Sequence, residues 1–186
     1  ALGEFAEVQN GEGQYAVPSR YYASHIHYER GQYEVALAGF RSLEKDENFG
    51  KLVPHYIAEI LFLQGKYDEL NSYVKPVLEN PEAGTKRVPE MNRLAGEANY
   101  RAGKYQEALP YLQKSIQRTG VDRNDRYILG YTYYRTGDCQ KALSEFNLVA
   151  NGEDSLAQMA VYHMADCYVR LNEKNYARNA FKRAYE

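Results

Sequence analysis

Apolar positions recur along this chain at helical spacing, and single turn residues interrupt them at regular intervals. Before Gly103 they fall at Leu94, Ala95 and Ala98, and before Gly137 at Ile128, Leu129, Thr132 and Tyr133, one face of an amphipathic helix. A second stripe follows each turn at i, i+4, i+7, as in Ala36, Phe40 and Leu43 or Ala142, Phe146 and Val149. The predicted unit is therefore helix, turn, helix. Glycine or asparagine suits the turn because it accepts the left-handed backbone that ends a helix. Asn80-Pro81 and Asn151-Gly152 supply loop punctuation between units.

The unit repeats. Tyr28-Glu29-Arg30-Gly31-Gln32-Tyr33 with Ala36 and Phe40 returns as Tyr100-Arg101-Ala102-Gly103-Lys104-Tyr105 with Ala108 and Leu112. Tyr134-Arg135-Thr136-Gly137-Asp138-Cys139 with Ala142 and Phe146 is a third copy. Leu63-Gln64-Gly65-Lys66-Tyr67 is a fourth, with Leu70 in the place of the alanine, and Leu171-Asn172 with Ala177, Phe181 and Ala184 is a fifth. The turn residues Gly31, Gly65, Gly103, Gly137 and Asn172 are 34, 38, 34 and 35 residues apart, a period that marks stacked repeats. The longer step is absorbed in the loop 79–85. Ser24, Ala58, Gly96, Gly130 and Ala165 on the first helices, and Ala36, Ala108, Ala142 and Ala177 on the second, are small enough for paired helices to approach closely. Leu70 predicts a wider crossing in its pair.

These residues and spacings resemble the tetratricopeptide repeat, the 34-residue helical pair that stacks into a solenoid. The resemblance covers essentially the whole chain. It departs from the family in lacking its frequent first-helix Trp, in Leu70 and in Cys139, which replaces an aromatic. It implies an all-α, right-handed superhelical solenoid of antiparallel helix pairs, with repeats at 16–50, 51–88, 89–122, 123–157 and 158–186. Residues 1–15 read as the second helix of a truncated repeat plus a linker, since Ala1-Leu2-Gly3-Glu4-Phe5 follows the pattern of Ala142-Leu143-Ser144-Glu145-Phe146. Without a capping helix at either end, the sequence reads as a piece of a longer repeat protein or one whose ends self-associate. The Tyr-rich phrasing is also similar to long envelope-associated tetratricopeptide proteins of Bacteroidetes-type bacteria. That would imply a periplasmic or outer-membrane-associated place, and otherwise a cytoplasmic one.

Charge and chemistry narrow the function. Lys+Arg 23 against Asp+Glu 25 gives a net charge of −2, so no basic field points to nucleic acid. No long apolar run suits a membrane span. There is no Gly-x-Ser-x-Gly elbow, His-Glu-x-x-His or phosphate-binding Gly-Lys-Ser/Thr, so no catalytic residue and no cofactor is expected. Gly11-Glu12-Gly13 reads as a flexible linker, and Glu44, Asp46 and Glu47 as solvated charge. His163, Asp166 and Cys167 share a helix, but a metal needs three or four converging ligands, and buried small hydrophobes are the ordinary role of Cys139 and Cys167. A Cys139–Cys167 disulfide is the minor reading.

In the tetratricopeptide family the exposed face of each first helix lines a concave groove that holds peptides or partner domains. Carried onto this sequence, the resemblance places Tyr21, His25 and Tyr28 there, then His55, Glu59 and Phe62, and then Arg93, Glu97, Tyr100 and Arg101. The fourth repeat adds Tyr127, Tyr131, Tyr134 and Arg135, and the fifth Tyr162, Asp166 and Arg170. Tyr127, Tyr131 and Tyr134 are i, i+4, i+7 and predict one stripe, beside a ladder of Arg101, Arg135 and Arg170. His27 points away from His25. Tyr and Arg are the side chains enriched at protein-binding hot spots, so the expected function is a non-catalytic scaffold for a protein or peptide. The chaperone-tail clamp of the family wants Asn and Lys and does not fit. An architectural segment of a larger envelope protein and a carbohydrate- or peptidoglycan-binding module are the alternatives.

Overall fold

The computed structural model describes residues 15–81 and 85–185. The expectations for residues 1–14, including the Ala1–Val8 helix and the Gly11-Glu12-Gly13 linker, lie outside the described residues. All regular structure among those described is α-helical. It comprises α1 (Ala16–Glu29), α2 (Tyr33–Arg41), α3 (Val53–Leu63), α4 (Tyr67–Glu79), α5 (Val88–Arg101), α6 (Tyr105–Ser115), α7 (Arg123–Thr136), α8 (Cys139–Asn147), α9 (Ser155–Arg170) and α10 (Lys174–Tyr185). The expected all-α architecture of helix pairs is what the chain adopts.

Within each pair the turn is tight and local. Gly31, Gly65, Gly103 and Gly137 take φ of 71°, 69°, 72° and 93°, and Asn172 takes 61° at the fifth turn. Asparagine there is one of the few side chains that tolerates this region, because its short amide can bond locally. The later first helices are also fixed at their starts. Asp122 and Asp125 form a reciprocal capping box on α7, and Asp154 accepts from the Ala157 N–H at the start of α9.

The chain divides into two compact units, residues 1–94 and 95–186, with α5 running through the boundary. The first unit packs Phe40, Leu43, Val53, Ile57, Ile60, Leu61, Leu70 and Val74 out of solvent. The second packs Leu112, Leu129, Phe146, Val149, Val161 and Met164 around the small residues Ala108, Ala142, Ala160 and Ala165. The small positions are sterically required. A Cβ on Gly96 would stand 2.6 Å from the Leu112 side chain, and one on Gly130 would stand 3.0 Å from the Phe146 ring. Cys139 and Cys167 are free buried thiols. Burial and a hydrogen bond with Cys139 push the Cys167 thiol well above the ordinary range. No helix among the described residues is long and apolar enough to cross a membrane.

Candidate functional site

In the second unit the ring stripe of α7 becomes the centre of an aromatic cluster. Tyr131 lies 5.8 Å from Tyr100 of α5, 5.9 Å from Tyr105 of α6 and 5.0 Å from His163 of α9, all close to edge-to-face. Its own helix adds Tyr127 at 6.1 Å and Tyr134 at 5.7 Å. Edge-to-face contact places the positive ring edge on the negative ring face, so such rings hold one another in place. Burial pushes the Tyr127 phenol up to about 12, and Tyr100 and Tyr134 are raised for the same reason. The hydroxyls therefore remain protonated, neutral donors at physiological pH.

Arg135 lies on the rim of this cluster. Its guanidinium stands 4.3 Å above the Tyr105 ring and donates to the Tyr105 hydroxyl at 3.1 Å and the Tyr131 hydroxyl at 3.2 Å. The three arginines expected as a ladder occupy equivalent places, two residues before their turns, but differ in partner. Arg101 is bound by Glu97 at 2.7 Å, and Arg170 by Asp166 at 2.9 Å while it covers the Tyr134 ring at 4.2 Å. Each of those acids is four residues upstream. The same position before Arg135 holds Tyr131, so Arg135 is anchored by two neutral hydroxyls and keeps its charge uncompensated by an acid four residues upstream.

The first unit gathers a different cluster. Tyr56 of α3 stacks on Phe40 at 4.9 Å and 11°, and meets His25 at 5.4 Å, Tyr28 at 5.7 Å and Tyr21 at 6.3 Å. Burial and Tyr56 push the Tyr21 phenol up to about 12. Burial and a hydrogen bond with Glu59 raise Tyr28 further. Phe62 packs on Tyr67 at 5.7 Å. His27 turns away to meet Gln32 at 2.5 Å.

Three residues expected to line a groove are covered instead. His55 is 5% exposed, with Nε2 3.7 Å from Glu59 and Nδ1 lacking a hydrogen bond; burial holds its pKa below the ordinary histidine range. Glu97 is sequestered by its bond to Arg101. Tyr127 is wedged between Phe146 and His163. All three are buried. Tyr28, Tyr100, Tyr131, Tyr134, Asp166 and Arg93 are half-buried, whereas Arg101, Arg135, Tyr162 and Arg170 are exposed. Tyr56, Tyr105 and His163 belong to the clusters without having been selected. Tyr105 reads in sequence as the repeated aromatic after a turn, and nothing local shows that it reaches Tyr131.

Known proteins agree with this architecture. The family model for anaphase-promoting complex, cyclosome, subunit 3 matches residues 102–184, and a tetratricopeptide repeat model matches residues 78–122. No curated protein sequence matches the chain. The solved structure of YrrB, described as a TPR protein with an unusual peptide-binding site, superimposes with a TM-score of 0.78 at 18% identity, covering 99% of this chain and 92% of that one. MamA from Desulfovibrio magneticus RS-1, residues 41 to the end, gives 0.69 at 18% identity over 94% and 96%. Another MamA crystal structure gives 0.71 at 16% identity over 92% and 91%. Nothing in these matches bears on the narrower likeness to envelope proteins. Helix pairs at this period, left-handed turns and small residues where the helices meet are together the tetratricopeptide-repeat fold, and that is the fold of this chain.

Proposed function

We propose that the chain is a non-catalytic interaction scaffold whose second unit binds an extended peptide through a carboxylate seated on Arg135. The fold is that of protein–protein interaction scaffolds. The observation that carries the finer reading is the Arg135 guanidinium, fixed by the Tyr105 and Tyr131 hydroxyls yet facing no acid on its own helix. A fixed guanidinium loses little freedom on binding, and its planar fork matches a carboxylate. Tyr131 and Tyr134 then supply rigid apolar walls beside it, as at protein hot spots. Peptide is favoured over sugar because Tyr100, Tyr105 and Tyr131 meet edge to face and Arg135 covers Tyr105, so the flat faces a sugar would stack on are in use.

The test is an array of random decapeptides with free C-terminal carboxylates beside their amidated twins, probed with labelled protein. Carboxylate-bearing peptides should be retained at least tenfold better, and Arg135→Ala should abolish the difference while leaving the helical circular dichroism intact. Replacing Tyr131 and Arg135 together by Ala should also leave a folded protein that retains neither set. Equal retention by wild type and Arg135→Ala would refute the carboxylate reading, and loss of fold in the double variant would make these residues core.

A further inference from the structure

The second unit contains a seat for a cation that the chain fills itself. Tyr134 of α7, three residues before its turn, donates its hydroxyl to Asp166 of α9, six residues before the next turn. Arg170, two residues before that turn, completes the seat. Its guanidinium lies 4.2 Å over the Tyr134 ring, donates to Asp166 at 2.9 Å and reaches the Tyr134 carbonyl at 3.5 Å. A planar cation on a ring face with a carboxylate at its edge combines attraction to the ring with a charge-assisted hydrogen bond.

The first unit repeats the seat without the cation. Tyr28 of α1 stands three residues before Gly31, and Glu59 of α3 six residues before Gly65. The Tyr28 hydroxyl hydrogen-bonds Glu59, as Tyr134 does Asp166. The place of Arg170, two residues before Gly65, belongs to Leu63, which is 52% exposed. Among the described residues no lysine or arginine stacks on Tyr28 or pairs with Glu59. Glu59 instead meets His55 at 3.7 Å, a side chain that burial holds neutral near pH 7. Tyr28 and Glu59 are each half-buried and keep surface for a ligand.

We propose that this seat binds an arginine side chain of a partner peptide, with the guanidinium over the Tyr28 ring and against Glu59. Arg170 specifies the occupant, because the same ring position and the same acid position already hold a guanidinium in the second unit. An arginine's flat fork can meet ring, carboxylate and carbonyl together, whereas a lysine offers a point charge. Tyr28 and Glu59 come from helices whose own partners, α2 and α4, are in place. The segment 1–14, which precedes α1, contains Glu4, Glu7 and Glu12 and no lysine or arginine, so its charge has the wrong sign to fill the seat. The site lies wholly in the first unit and is opposite in charge to the Arg135 rim.

The probe is an acetylated, amidated decapeptide of glycine and serine with one central arginine. It has no carboxylate, so its binding is independent of the reading given to Arg135. In the 186-residue protein with carbon-13-labelled tyrosine, the Tyr28 ring signals, identified by their loss in Tyr28→Phe, should shift saturably as the peptide is added. A peptide with citrulline, the uncharged isostere of arginine, should bind about tenfold more weakly, and so should the arginine peptide to Glu59→Gln protein. Leu63→Arg supplies the missing guanidinium four residues after Glu59 and should abolish binding. Circular dichroism checks both folds; if Glu59→Gln loses helix, the citrulline peptide and the exposed Leu63→Arg change decide. No saturable shift of Tyr28, equal affinity for the citrulline peptide, or undiminished binding by Leu63→Arg protein overturns the proposal. So does a dimer of the free protein that Leu63→Arg dissolves, since a second copy would then supply the arginine.

Discussion

Each unit has a tyrosine hub, and the two hubs are tied differently. In the first unit Tyr56 gathers Tyr21, His25, Tyr28 and Phe40, and the acid Glu59 accepts from Tyr28 at its edge. In the second, Tyr131 gathers Tyr100, Tyr105, Tyr127, Tyr134 and His163, with the cation Arg135 at its edge. The registers explain the difference. Tyr56 lies nine residues before its turn and leaves the position six before to Glu59; Tyr131 occupies that later position itself. Glu97 and Asp166 hold it in the neighbouring repeats and neutralise Arg101 and Arg170. Moving the hub by about one helical turn therefore removes an acid and leaves an arginine available for a ligand.

The most forceful way to break the comparison is to remove the platforms beneath the hubs. Phe40→Ala and Phe146→Ala should each cost about 3–5 kcal/mol in chemical denaturation, the usual range for a buried ring. A cost below about 1 kcal/mol for either would show that its hub does not rest on that ring. A sharper intervention makes the second hub resemble its neighbours: Tyr131→Asp restores the acid four residues before Arg135. Carboxylate-peptide binding should then weaken about tenfold, or about 1.4 kcal/mol, and titration calorimetry showing undiminished affinity would detach Arg135 from the site.

The smallest effect concerns pH. Burial holds His55 and His163 below the ordinary histidine value of 6.5, with Glu59 opposing the shift in one unit and Asp166 in the other. The unfolded chain thus takes up these protons first, so stability is full above that value and declines as pH falls through it toward the folded pKa. His163→Leu should flatten the decline in melting temperature between pH 7 and 5. Identical slopes for wild type and His163→Leu would exclude His163 as a source.

The repeat, the turns and the small crossing residues were legible because each is enforced within a few residues of sequence. A Cβ at Gly130 would meet Phe146, and a non-glycine at Gly137 would have to adopt φ near 93°. The site was legible only in part. The spacing of Tyr127, Tyr131 and Tyr134 placed them on one stripe, but whether each ring faces water depends on the following helix, and His163 closes over Tyr127. Tyr105 and Tyr56 escaped notice for the same reason: their partners lie in other repeats, at distances that no local pattern encodes. The arginine ladder was visible as positions, yet the acids that distinguish its rungs emerge only when the residues four upstream are compared.

The chain contains 19 tyrosines and no tryptophan, and the hubs set several of those phenols within about 6 Å of one another. Excitation absorbed by one ring can therefore migrate among its neighbours before emission, so each hub behaves optically as a collective chromophore. A ligand that perturbs the Tyr131 hydroxyl would quench light gathered by the second cluster. The protein thus carries a native fluorescence reporter at its candidate site, and a single tryptophan placed beside Tyr131 would act as the energy sink for that cluster.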